Sequence, residues 1–164
     1  MLMIKNALEK QYDKCLDIMA QAIKDYPENL WDDRFGYKYP AWQIAYHALF
    51  YGNIYCSVDE HSITARPKQK ELYEVFGKTP WPPFVEVQIT ESFSKSDILE
   101  FLEFVRLNVK KNLPLMKPVE QCWPSWYNEN QLEFHINNLR HIQHHCGEMI
   151  ERADIVNTFK YDWR

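Results

Sequence analysis

The stretch AWQIAYHALFYGNIYCSV, residues 41–58, decides the fold. It carries no formal charge, and apolar or aromatic side chains occur all round its helical projection, so as a helix it has no face suited to water and belongs in the middle of a packed bundle. Pro40 sits where proline is welcome, in the first helical turn, because its missing N–H would have no partner there anyway. Gly52, inside the predicted helix, costs about 0.5–1 kcal/mol relative to alanine, which points to a close helix crossing or a ligand approaching the backbone.

Upstream, apolar residues recur in steps of three and four at Ile4, Leu8, Tyr12, Cys15, Leu16, Met19, Ile23 and Tyr26, one stripe of a helix over residues 4–26. Pro27 ends it, and a loop through Asp32, Asp33, Phe35 and Gly36 follows. Downstream, residues 59–93 contain Pro67, Gly77, Pro80, Pro82 and Pro83, a density of breakers that predicts a long crossover with one short helix over 68–75. The only strand candidate is VEVQI, residues 85–89, set between prolines and a helix cap. Ser94 with Asp97 three residues later announces a third helix, continued by Ile98, Phe101, Leu102, Val105 and Val109 and stopped at Pro114. After an ordered loop over 114–127, Asn128 is a plausible N-cap for a fourth helix reaching about Val156, with Leu132, Ile136, Leu139, Ile142, Cys146, Met149 and Ile150 on its stripe. The expected architecture is all-α: a four-helix bundle with a long crossover between helices 2 and 3, in one domain over residues 1–164.

Composition agrees. The 164 residues hold six Trp, ten Tyr and nine Phe but only four Gly, which favours a large buried core over a disordered chain. Nineteen basic against 23 acidic side chains leave a net charge of −4, with no basic field for a phosphate backbone, so nucleic acid is not an expected partner. Every apolar run is interrupted by polar residues, so no membrane span is expected, and the charged start MLMIKNALEKQYDKC does not read as a secretory signal. Cys15, Cys56, Cys122 and Cys146 lie far apart without a CxxC pair, which excludes a zinc ribbon or dithiol motif and favours a reduced, cytoplasmic setting.

Chemistry concentrates in LRHIQHHCGE, residues 139–148. His141 and His145, four apart on a helix, point the same way one turn apart and can bind one metal ion; His144, three from His141, competes for the role. His47, in the uncharged helix, offers a third nitrogen, and three imidazoles on two helices leave coordination positions for water or substrate. The competing views are a hydrogen-bonded core histidine at 47, and solvated histidines at 141 and 145, which project to one side of a stripe centred near Leu139 and Cys146. Glu148 is placed to accept a hydrogen bond from a ligand imidazole or to be a surface carboxylate. Gly147, like Gly52, marks a close approach, and Trp42, Tyr46, Tyr51, Trp123 and Trp126 are candidates to line a pocket or to be ordinary core. His61 and His135 lack a partner at useful spacing. No phosphate loop, GxSxG elbow or Cys–His nucleophile pair is present, and no catalytic residue is assigned.

The strings WQIAYHALFY and RHIQHHCGEM, one in each histidine-bearing helix, resemble the DinB/YfiT-like superfamily of metal-dependent four-helix-bundle proteins. The resemblance implies a divalent transition metal held by His47, His141 and His145, with zinc, nickel and iron not distinguished. It also implies an activated water or thiol, hence a thiol transferase or hydrolase acting on a small molecule with a low-molecular-weight thiol as co-substrate, and a homodimer. Glu148 stands where the family usually has Gln, and Cys146 where many members have Arg. The alternative from another class is a non-catalytic bundle that dimerises or binds a partner.

Overall fold

A computed structural model describes residues 2–34 and 36–155. Four α-helices account for most of it: α1 (Leu2–Asp25), α2 (Ala41–Tyr55), α3 (Lys95–Asn112) and α4 (Gln131–Ile155), with 3₁₀ turns at Glu28–Leu30, Glu60–Ser62 and Leu113–Leu115. Among the described residues there is no β-strand. VEVQI contributes only Glu86, which makes an isolated antiparallel bridge to Lys78. No helix among the described residues is long and apolar enough to cross a membrane.

The helices form a bundle in which α2 packs on α4, α4 on α1, α1 on α3 and α3 on α2. The core is continuous, built from Tyr12, Leu16, Met19 and Ile23 of α1, Trp42, Ile44, Tyr46 and Leu49 of α2, Ile98, Phe101, Leu102 and Val105 of α3, and Ile142, Cys146 and Met149 of α4. At about 1.5–3 kcal/mol for each large apolar side chain removed from water, this cluster is what opposes the chain's conformational entropy.

Several boundaries have local causes. Pro40 is the extended N-cap of α2, one residue before the helix proper, and α2 stops at Tyr55, short of Val58, where Asn53 turns inward and its Oδ1 accepts from Asn108 Nδ2 at 2.7 Å. At Ser94 the expected capping box is present: its hydroxyl accepts from the Asp97 N–H at 3.2 Å, and the Asp97 carboxylate accepts from the Ser94 N–H at 3.3 Å. The start of α4 is a correction. The cap is at Asn130, not Asn128, because Asn130 Oδ1 accepts from the Glu133 N–H at 3.0 Å while Glu133 Oε2 accepts from the Asn130 N–H at 2.9 Å. Asn128 remains in the loop, held outside the helix by the bridge between Gln121 and Asn130. The short helix expected over 68–75 is replaced by turns, for Leu72 takes a left-handed φ of 63° that an α-helix cannot accommodate. Phe35 and the expected helix end at Val156 lie outside the described residues.

Gly52 does mark a close crossing. A Cβ there would sit 3.2 Å from Ile142 Cδ1, and the Gly52 carbonyl accepts from Asn138 Nδ2 at 3.1 Å, so α2 and α4 approach closely at a point on α2 beyond His47. Gly147 does not: a Cβ there would meet nothing within 4 Å.

Candidate metal centre

That close crossing sets the distance across which α2 and α4 share side chains. The buried face of α4 departs from the pattern of its aliphatic residues. It runs through Phe134, His135, Asn138, Ile142, His145, Cys146 and Met149, while Ile136 is 44% exposed. The face therefore includes both Cys146, one of the two residues on which the expected stripe centres, and His145, which is 6% exposed, so of the two competing views the solvated one does not hold for His145. The cause is the partner: α2 is apolar all round and has no polar face, so imidazoles that pack against it are buried.

His47 projects from α2 into this seam. Its Nε2 lies 3.1 Å from Nε2 of His141, and its ring centroid is 5.1 Å from that of His141 and 4.8 Å from that of His145. His141 and His145 have centroids 4.8 Å apart, nearly perpendicular. One ligand nitrogen from each of the three lies within 4.8 Å of the others. Nitrogens that share one cation at bonds of about 2.0–2.1 Å stand about 3.0–3.4 Å apart, so the His47–His141 pair is already at that spacing and the trio could hold a metal ion.

The hydrogen bonds orient two of the three rings. Nδ1–H of His47 donates to the backbone carbonyl of Glu74 at 2.6 Å, which leaves its Nε2 lone pair facing His141. Nδ1–H of His145 donates to Glu148 Oε2 at 2.5 Å. With His47 Nε2 unprotonated, the 3.1 Å contact requires Nε2–H of His141 to be the donor, and Nδ1 of His141 is then a buried lone pair with no partner. Ligation through Nε2 would move that proton to Nδ1. The donor set fits a divalent cation of intermediate softness: three nitrogens, two with an external hydrogen bond that fixes the tautomer.

Electrostatics push the same way. Burial lowers the His47 pKa below its usual value, against a rise from the Glu74 carbonyl. Burial, reinforced by the charge each ring would impose on its neighbours, lowers His141 and His145 to about 3. All three are neutral at pH 7, the form that ligates.

Aromatic rings wall the site. Phe76, from the 56–94 connection, stacks on His47 with centroids 4.2 Å apart and rings 14° from parallel, and Tyr39 stacks on the far side of Phe76 at 4.4 Å. Tyr51 touches both His47 and His141, and Tyr55 reaches His141 at 6.2 Å while its hydroxyl pairs with that of Tyr127 at 2.9 Å. Of the aromatic candidates, only Tyr51 is at the histidines. Trp42 and Tyr46 are core residues, 1% and 0% exposed, because they lie on the face of α2 turned toward Phe93. Trp123 and Trp126 stack edge-on to each other in the loop before α4. Phe76 and the Glu74 carbonyl had no signal in the sequence, since both sit in irregular chain whose path is set by tertiary packing.

His144 is exposed; with His145 and Glu148 it forms a second group within 4.8 Å, in which Glu148 is already engaged by His145 Nδ1. His61 is exposed beside Glu60. His135 is buried away from the seam, its Nδ1 2.9 Å from the Tyr12 hydroxyl. All four cysteines are free and buried. No protein-family model, curated protein or solved structure matches this chain.

Proposed function

We propose that this protein is a metal-dependent enzyme of the DinB/YfiT kind, in which His47, His141 and His145 hold one divalent transition metal and leave positions open for water or a thiol. The observation that carries the reading is the convergence of imidazole nitrogens from two helices, 3.1 Å apart across the α2–α4 seam. The chain path supports it as well. Tyr46 meets Phe101 and Asn53 meets Asn108, so α2 and α3 run in the same direction, which supports a crossover over residues 56–94.

A divalent cation bound there supplies the positive charge that eases proton loss from a water or thiol at neutral pH. The chain itself does the rest. The Glu74 carbonyl and the Glu148 carboxylate aim two of the rings, Phe76 packs over His47, and Tyr51 and Tyr55 keep the approach to His141 of low polarity, which strengthens electrostatic interactions at the site. Thiol transfer is the reaction named first and metal-assisted hydrolysis second. A small-molecule substrate, a homodimer and a reducing cytoplasmic setting belong to the same reading, the last supported by four unpaired cysteines.

Metal analysis tests it. Untagged protein is expected to carry about one equivalent of transition metal, and His145→Ala to lose it. Less than a tenth of an equivalent after reconstitution would leave a helical bundle that acts, if at all, by binding a partner.

A further inference from the structure

The three imidazoles differ in what holds their outer nitrogens. His47 donates to a neutral backbone carbonyl, and His141 Nδ1 has no partner. Only His145 donates to a carboxylate, that of Glu148, one helical turn on along α4. The contact is short, 2.5 Å, and it joins a buried imidazole, His145 at 6% exposed, to a carboxylate whose side chain is 35% exposed. On the same helix Arg152 is turned elsewhere, its Nη1 donating to the Tyr39 carbonyl at 2.8 Å and its guanidinium lying over the Tyr37 ring. Among the described residues, Glu148 therefore serves His145 and pairs with no Lys or Arg side chain.

We propose that Glu148 is a positioning residue for His145: its carboxylate takes the Nδ1 proton in hydrogen bond, fixes the tautomer that presents Nε2 to His47 and His141, and lowers the net charge of a loaded site by one. The inference rests on the three-histidine reading above. An oriented, carboxylate-bonded imidazole is a stronger donor than a free one, and loss of such a partner weakens metal affinity by about 10- to 100-fold. The carboxylate is the stronger of the two outer partners, so its removal should matter more than any change at the outer nitrogen of His141, which has none.

The test compares wild type, Glu148→Gln and Glu148→Ala by two readouts. Nitrogen-15 NMR of the metal-free proteins reports the His145 tautomer, and Zn²⁺ competition against a chromophoric chelator reports affinity and stoichiometry. Wild type should show Nδ1–H at His145 and bind one Zn²⁺. Glu148→Ala should lose the single tautomer and bind Zn²⁺ about 10- to 100-fold more weakly. Glu148→Gln, which keeps a neutral acceptor like the one His47 uses, should hold the tautomer, fall between the two in affinity, and stay folded should the alanine variant unfold. An Nε2–H tautomer in wild type, or equal affinity in all three, overturns the proposal. So does binding of two Zn²⁺ by wild type with one lost in Glu148→Ala, which would make Glu148 a ligand beside His144. Failure of wild type to bind Zn²⁺ despite the expected tautomer would sink the metal reading itself, and this proposal with it.

Discussion

Acidification should destabilise the metal-free protein through His135, and the effect can be isolated from the other histidines. The ring is 6% exposed, 2.9 Å from the Tyr12 hydroxyl, and burial lowers its pKa to about 4 from an unfolded value near 6.5. The folded state thus resists a proton that the unfolded state accepts, so the stabilising contribution is complete above pH 6.5 and is lost as pH falls toward 4. At about 1.36 kcal/mol per pH unit over that window, the loss by pH 4 is about 3 kcal/mol, a large share of the stability of a domain of this size. Urea unfolding of wild type and His135→Gln in the presence of a chelator, from pH 4 to 7.5, measures it. His141 and His145 titrate in both proteins and cancel in the difference. The variant should be the less stable at pH 7.5 and the gap should close by about 3 kcal/mol by pH 4. Parallel curves across the range would refute the reasoning, because they would mean that the folded state accepts the proton on His135 as readily as the unfolded chain does.

Three further outcomes follow from packing and burial. Gly52→Val should cost about 1–3 kcal/mol in urea unfolding, because a branched side chain at the α2–α4 crossing meets Ile142 at 3.2 Å, and a neutral result would contradict the close approach. Ile142→Ala, which removes a fully buried side chain from the same contact, should cost about 2–5 kcal/mol by the same assay. The four thiols, all buried, should resist a thiol-specific chromogenic reagent in native protein and react together on denaturation; rapid labelling of any one would show that its packing is wrong.

Much of this was legible because the local physics was strong. An uncharged α2 can only be a central helix, and Ser94 with Asp97 makes a capping box wherever a helix follows. The spacing of His141 and His145 puts two imidazoles on one side of α4 whatever α4 packs against. What was not legible depended on the partner surface. Hydropathy ranks histidine as solvent-facing, so a stripe centred near Leu139 and Cys146 leaves His141 and His145 to one side, whereas α2 offers an apolar seam in which His145 is buried together with Asn138. Asn128 and Asn130 are equally good caps as residues, and the bridge between Gln121 and Asn130 selects the second. Trp42 and Tyr46 share a helix with His47 but turn toward Phe93, a residue contributed by the long connection. Phe76 and the Glu74 carbonyl come from that same connection, where no periodicity exists to read.

The central claim is that His47, His141 and His145 ligate a single cation, and a crystal structure of protein soaked with Zn²⁺, with anomalous data collected on both sides of the zinc edge, tests it most directly. The account predicts one strong peak in the α2–α4 seam, about 2.0–2.1 Å from a nitrogen of each of the three rings. A peak held by His144 and Glu148 at the surface, or none in the seam at full soaking concentration, would contradict it.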